Sequence, residues 1–184
     1  MKNGPITFTL SRMASPIGET LLVTDERGRL RALDWHDHED RMTRLMERHY
    51  RSDRAQLSEG PVPAALACAL EAYFAGQLEA IDAVEVETGG TPFQKLAWAA
   101  LRQIPAGKTA SYAEQAAKIG RPSAMRAVGL ANGANPVGLV VPCHRVIGAD
   151  GSLTGYGGGL HRKRWLLEHE GVAIGGVQGQ GALF

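Results

Sequence analysis

The stretch Ser111-Tyr112-Ala113-Glu114-Gln115-Ala116-Ala117-Lys118-Ile119-Gly120-Arg121-Pro122-Ser123-Ala124-Met125-Arg126-Ala127-Val128-Gly129-Leu130-Ala131 decides the fold. Ser111 followed three residues later by Glu114 is a capping box, in which each side chain satisfies a backbone N–H that the first helical turn leaves free. The helix it opens stops near Gly120. Pro122 is suited to a first helical turn, where its missing N–H costs nothing, and it starts a second helix through Met125, Arg126, Val128 and Leu130 to about Ala131. Two short helices across a tight, Gly-containing turn are the outline of a helix-turn-helix. The second helix is slim, with Ala124, Ala127, Gly129 and Ala131. Such residues serve either close packing against a neighbouring helix or passage of one long cation, Arg126, deep into a nucleic-acid groove. The residues alone leave both readings open.

Toward the C-terminus, Asn132-Gly133-Ala134-Asn135-Pro136 breaks the helix, and the apolar run Val137 to Val141 reads as a buried strand that delivers Cys143 within Val140-Val141-Pro142-Cys143-His144-Arg145-Val146-Ile147. A free thiol has a pKa of about 8.5, so a reactive one needs a base or a positive charge nearby. His144 and Arg145 are candidates for both. Cysteine is also among the most buried residue types and often acts as a small hydrophobe. A turn at Gly148-Ala149-Asp150-Gly151 suggests a hairpin or wing, and Thr154-Gly155-Tyr156-Gly157-Gly158-Gly159 reads as a glycine-rich loop. A last helix from about Leu160 to His169 ends at Gly171 in the capping position, and residues 175–184 read as a flexible tail. Toward the N-terminus, Thr91 caps a helix with Pro92 at its first position and Phe93, Leu96, Ala97, Ala100 and Leu101 on its apolar face; Pro105-Ala106-Gly107 ends it.

The first half has a different texture. Thr7-Phe8-Thr9-Leu10, Thr20-Leu21-Leu22-Val23-Thr24 and Leu30-Arg31-Ala32-Leu33-Asp34-Trp35, separated by turns, read as an antiparallel meander. Helical spacing follows over residues 38–50 and 62–76, with Cys68 read as plain core of the second helix. Thr88-Gly89-Gly90-Thr91-Pro92 marks a boundary. Residues 1–89 carry ten Lys and Arg against fifteen Asp and Glu, whereas residues 90–184 carry ten against four. A basic half beside an acidic one raises the expectation of a nucleic-acid partner. A hydrophobic share of 44% in 184 residues suits a folded globular protein rather than a disordered chain. Two distant cysteines, neither in a Cys-x-x-Cys pair, argue against a disulfide framework or a cysteine zinc site. No stretch approaches a membrane span and the N-terminus lacks a signal-peptide core, so a cytoplasmic protein is expected.

Pro142-Cys143-His144-Arg145-Val146, preceded by Arg126-Ala127-Val128-Gly129 and Asn135-Pro136 and followed by Gly155-Tyr156 and Trp165-Leu166-Leu167-Glu168-His169-Glu170-Gly171, resembles the O6-alkylguanine-DNA alkyltransferases, or methylated-DNA-protein-cysteine methyltransferases. Ser15-Pro16-Ile17-Gly18 and Tyr73-Phe74-Ala75-Gly76 are similar to the stand-alone bacterial members. The resemblance implies an α+β protein: a ribonuclease-H-like sheet domain over residues 1–88, then a winged helix-turn-helix-like alkyltransferase domain over residues 91–174. It implies transfer of an alkyl group from O6-alkylguanine, and less readily O4-alkylthymine, in double-stranded DNA to Cys143, once per molecule. In that scheme His144 is the base, Glu170 orients and stabilises its imidazolium, Asn135 holds the Cys143 loop and Tyr112 donates to the flipped base. Ala124, Arg126, Ala127, Gly129 and Ala131 would meet the minor groove, with Arg126 filling the gap left by the flipped base, and Tyr156, Gly157 and Gly158 would line the base site.

Relatives often have Ser or Ala where Gly157 stands, which leaves backbone amides of Tyr156 to Gly159 to contact the O6 atom. The zinc ligands of some relatives have no counterpart, so no metal and no cofactor are expected. The expected assembly is a monomer that could cooperate on DNA, with no membrane partner. Three other classes explain less. A damage sensor would not need Cys143, and a thiol hydrolase leaves Arg126 and the charge asymmetry idle. A transcriptional regulator would need long polar side chains for reading base edges.

Overall fold

The computed structural model describes residues 6–50 and 55–174. The first half is a four-stranded sheet in the order β3-β2-β1-β4, formed by β1 (Ile6–Met13), β2 (Thr20–Asp25), β3 (Leu30–Trp35) and β4 (Ala55–Glu59). The first three strands form the expected antiparallel meander; β4 pairs parallel to β1. β4 left no apolar signal because it is an edge strand whose Gln56, Leu57, Ser58 and Glu59 are all exposed. Side chains alternate between the two faces of the pleat. Phe8, Leu10, Leu21, Val23 and Ala32 face Met42 and Met46 of α1 (Glu39–Tyr50). Leu22, Leu33 and Trp35 face the other way, toward α2 (Ala64–Phe74) and the second half of the chain.

The second half is helical. In α3 (Pro92–Leu101), Thr91 and Gln94 form a capping box with Pro92 at the first position. Ser111 and Glu114 do the same for α4 (Tyr112–Lys118), as their spacing predicts. The next helix differs from expectation at both ends: α5 spans Met125–Gly133, and residues 121–124 form a turn instead of its first winding. Arg121 N–H bonds back to Ala116 and Ala124 N–H to Arg121, so the backbone around Pro122 is spent on the connecting turn. Gln115 and Asn132 exchange two side-chain hydrogen bonds between α4 and α5, and Gln115 also donates to the Ala97 carbonyl of α3. These buried amides lock the three helices together.

Val137 to Val141 is not a strand. Val137 makes one bridge to Leu33, and the chain then coils through Val140 N–H to Gly138, Val141 N–H to Val137 and Cys143 N–H to Val141. Past this single bridge to the edge of β3, the run satisfies its buried backbone groups by turning on itself. Leu139 takes a left-handed φ of 68° with its side chain fully buried. The expected hairpin after Gly148 is also absent: β6 (Val146–Ile147) pairs in parallel with β5 (Ala110–Ser111), and the Gly148–Ser152 turn leads into loop. α6 spans Leu160–His169 with Gly171 at φ 81°, as expected. The tail at residues 175–184 lies outside the described residues.

The free edge of β3 joins the two halves. Leu33 N–H donates to Pro136 and its carbonyl accepts from Gly138, while Leu30 pairs similarly with Glu85 and Glu87. One apolar cluster runs from Leu22, Leu33, Trp35 and Leu70 to Leu101, Val137, Val141 and Leu166. Cys68 does not belong to it: it lies on the exposed face of α2, whose buried face is Leu66, Leu70 and Tyr73. A shared core predicts shared unfolding. Urea denaturation should give one transition, and Leu33→Ala should lower stability by about 2–5 kcal/mol without splitting it; separate transitions for Trp35 and Trp98 would show the halves to be independent.

Candidate active site

The bend after α5 fixes the position of Cys143. Asn135, buried at the end of that bend, donates from Nδ2 to the Val141 carbonyl at 2.8 Å and to Cys143 Sγ at 3.3 Å, while its Oδ1 accepts from Val137 N–H at 3.0 Å. One amide thus ties both ends of the coiled segment and the sulfur. Cys143 opens a single 3-10 turn, Cys143–Arg145, and lies beside a pocket of about 230 Å³. Tyr112 of α4, Gly129, Asn132 and Gly133 of α5, and Gly155 to Gly157 form the remaining walls. Tyr112 Oη lies 3.1 Å from Thr154 Oγ1, and Gly129 faces the Tyr112 ring, close enough that a Cβ there would touch it. A larger groove of about 530 Å³ between α2 and the β2–β3 turn is lined mostly by Ala, Pro and Gly and holds no nucleophile.

His144 makes no hydrogen bond to the sulfur. Its Nε2 lies 2.9 Å from Glu170 Oε1, and both side chains are fully buried. A carboxylate only accepts, so Nε2 carries the hydrogen and Nδ1 keeps its lone pair. That Nδ1 is buried and has no partner among the described residues. Arg145 does not serve the thiol either: its Nε and Nη2 grip the two oxygens of Glu170 at 2.9 Å each, and Nη1 donates to the Ile104 carbonyl. Burial alone would raise the pKa of Glu170, but hydrogen bonds from His144 and Arg145 hold it far below the usual carboxylate range. Burial pushes His144 downward, against the pull of Glu170, so the imidazole rests neutral.

The thiol is also affected by burial. Although Cys143 keeps part of its surface open, its surroundings raise its pKa, while Asn135, Arg41 and Lys163 act in the opposite direction. Lys163 is fully buried, with Nζ 2.6 and 2.7 Å from the Val146 and Thr154 carbonyls; burial pushes its pKa down to about 8. Arg41 reaches over from α1: Nη1 binds Asp34 at 2.6 Å, and Nη2 donates to the Gly133 and Asn135 carbonyls. A Cβ at Gly157 would land on this guanidinium, so Arg41 occupies the space that a side chain at position 157 would need.

Most of the residues singled out in the sequence converge here. Cys143, His144, Glu170, Asn135, Tyr112, Tyr156, Gly157 and Gly129 surround or support the pocket. Arg126 and Ala127 lie on the exposed face of α5, with Ala124 at its N-terminus. Ala131 is a correction: it is 3% exposed, packed inward, with its carbonyl accepting from Trp98 Nε1. Gly158 is buried against Trp35, where a Cβ would collide with the indole. Leu130, counted only as a helix position, is the most exposed large apolar residue among the described residues at 73% and shares the face of Arg126 and Ala127. Asp34, Arg41, Tyr73 and Lys163 also reach the site and were missed. Asp34, Arg41 and Lys163 lie in ordinary strand or helix text, and the stretch Tyr73-Phe74-Ala75-Gly76 carries resemblance but no sign of the site.

Fold and site define a protein that presents one partly open thiol beside the second helix of a helix-turn-helix. Residues 92–172 match the family model described as 6-O-methylguanine DNA methyltransferase, DNA binding domain, and residues 9–88 match that described as its ribonuclease-like domain. The methylated-DNA–protein-cysteine methyltransferase of Salmonella typhimurium is 52% identical over 163 residues, spanning 89% of this chain and 95% of the relative. The crystal structure of Mycobacterium tuberculosis OGT in complex with DNA superposes with a TM-score of 0.72 at 42% identity, covering 88% of this chain and 92% of that one. The O6-methylguanine-DNA methyltransferase of Pyrococcus kodakaraensis shares the fold, with a TM-score of 0.64 at 21% identity over 90% of this chain and 99% of that one. The chain belongs to the 6-O-methylguanine DNA methyltransferase family.

Asn135 offers a direct check on the thiol. Its N–H favours the thiolate, so Asn135→Ala should move the Cys143 titration to higher pH, read from the pH dependence of iodoacetamide labelling by peptide mass spectrometry; an unmoved midpoint would mean that the contact does not bear on the sulfur.

Proposed function

We propose that this protein reverses DNA alkylation damage by moving the alkyl group of O6-alkylguanine, and less readily of O4-alkylthymine, onto Cys143. The observation that carries the reading is the sulfur of Cys143 at the wall of a base-sized pocket, beside an exposed helix face bearing Arg126. A pocket of this volume takes one base and not a stacked pair, so the damaged nucleotide has to leave the duplex. Small residues on the exposed face of α5 suit the narrow minor groove, and Arg126 would occupy the vacated space in the stack. Phosphate contacts would supply most of the affinity, which makes it sensitive to salt and tolerant of sequence.

In the bond-changing step the thiolate of Cys143 attacks the alkyl carbon, an S–C bond forms, and the O6–C bond breaks with its electron pair passing to the guanine. The thiol proton leaves toward Nδ1 of His144, through one water because the imidazole does not touch the sulfur. Glu170 then stabilises the imidazolium. Tyr112 Oη and backbone amides between Tyr156 and Gly159 would donate to the base as its charge develops. The guanine takes up a proton and returns to the duplex unmodified. The product is an S-alkylcysteine, a thioether without a leaving group that water could displace, so each molecule acts once. No cofactor enters this balance. We place the protein in the cytoplasm as a monomer that could line up cooperatively on DNA; none of its described helices is long and apolar enough to cross a membrane.

Titrating the protein with a duplex carrying one O6-methylguanine should repair one lesion per molecule and then stop, whereas continued turnover would contradict the scheme. Cys143→Ser should bind the damaged duplex and repair none of it; any retained repair would remove Cys143 from the acceptor role. Arg126→Ala should slow repair of duplex by about tenfold or more, an order set by the few kcal/mol needed to unstack a base, and leave attack on a free O6-alkylguanine base nearly unchanged. Equal slowing of both reactions would deny Arg126 its place in the stack.

A further inference from the structure

The carboxylate of Glu170 has a fourth contact that comes from the other half of the chain. Tyr73, on α2, is fully buried and places its hydroxyl 2.8 Å from Glu170 Oε1. That oxygen also receives His144 Nε2 and Arg145 Nη2, each at 2.9 Å, while Oε2 takes only Arg145 Nε. The Tyr73 carbonyl accepts from His169 Nε2 at 2.8 Å, so one residue of α2 grips two successive residues at the end of α6. The tyrosine ring packs edge-on against Phe74 and His169, which fixes the direction of its hydroxyl. Since a carboxylate cannot donate, the phenol must, and burial next to Glu170 pushes its pKa far above the usual range. Its proton therefore stays in place as a permanent donor.

We propose that Tyr73 is a positioning residue of the acceptor site, which holds Oε1 of Glu170 and thereby sets both the orientation of the His144 imidazole and its affinity for the thiol proton. The inference rests on the proposed alkyl transfer and adds to it a requirement for the N-terminal half. A donor on Oε1 draws off negative charge that would otherwise bear more strongly on His144, so the hydroxyl keeps the imidazole neutral and its Nδ1 ready to accept. The ionisable groups facing His144 are Glu170 and Lys163 from α6, Arg145 and Cys143 from its own turn, Tyr156 from the glycine-rich loop, and Tyr73 by way of Glu170. Of these, Tyr73 alone comes from the first half of the chain.

The test uses Tyr73→Phe, which keeps the ring and removes the donor. With the hydroxyl gone, the carboxylate bears more strongly on His144, the imidazole holds its proton to higher pH, and the pH below which transfer fails should rise by about half a unit or more. Single-turnover transfer from a saturating O6-methylguanine duplex reads this acid limb. The 15N resonances of the His144 imidazole in the DNA-free protein read the same midpoint without any transfer. Site-specific 3-fluorotyrosine at position 73 keeps the hydroxyl and makes it a stronger donor, so it should shift both readouts to lower pH; it decides the matter if Tyr73→Phe does not fold. Opposite shifts of the two variants support the proposal. An unmoved midpoint in the folded variants overturns it, even if the maximal rate falls, because packing alone would explain that fall. Native protein that fails to take up a methyl group would overturn the proposed function instead, and the imidazole titration would still decide the part played by Tyr73.

Discussion

A carboxylate with no surface is the constraint on which this site rests. Glu170 is fully enclosed, and removing an ion from water costs several kcal/mol unless charge and hydrogen bonds offset it. Arg145 supplies the charge with a two-pronged grip, His144 and Tyr73 supply neutral donors, and the four contacts join α2 and the Cys143–Arg145 turn to the end of α6. A shift of either element would strip hydrogen bonds from a buried charge. The turn that carries the thiol is thus pinned to both halves of the molecule, and its geometry is set before any substrate arrives.

The same enclosure shapes the chemistry. A half-buried thiol, a buried neutral imidazole and a buried lysine with its pKa near 8 all hold less charge at rest than they would in water. Charge separation between Cys143 and His144 is therefore costly until something favours it. Asn135 at the sulfur and Glu170 at the imidazole each stabilise one member of the charged pair, and Arg41 and Lys163 add a positive field. An acceptor used once gains from this arrangement: a thiol that stays protonated at rest is protected from stray electrophiles and oxidants.

Much of this was legible in the sequence where signals were local. The Ser111–Glu114 capping box, the Thr91 cap, the meander and the last helix with its Gly171 cap follow from residues a few positions apart, and motif resemblance brought Cys143, His144, Asn135 and Glu170 to one site. What escaped depended on distant partners. Val137 to Val141 has strand composition, but it meets the β3 edge only at Leu33 and coils beyond it. Pro122 suits a helix start, yet its backbone neighbours are used by the turn. Cys68 was placed in the core by its company, although it falls on the outer face of α2. Tyr73 looked like one more apolar helix position, because nothing near it in the chain shows that its hydroxyl meets a carboxylate 97 residues away.

The central claim is that the sulfur at this pinned turn is the atom that keeps the alkyl group. Peptide mass spectrometry after incubation with an O6-methylguanine duplex tests it most directly, since the exposed Cys68 provides a second thiol in the same molecule. The account predicts a gain of one CH2 unit on the Cys143 peptide and none on the Cys68 peptide. A methyl group on Cys68, or tight binding with no gain on either peptide, would contradict it.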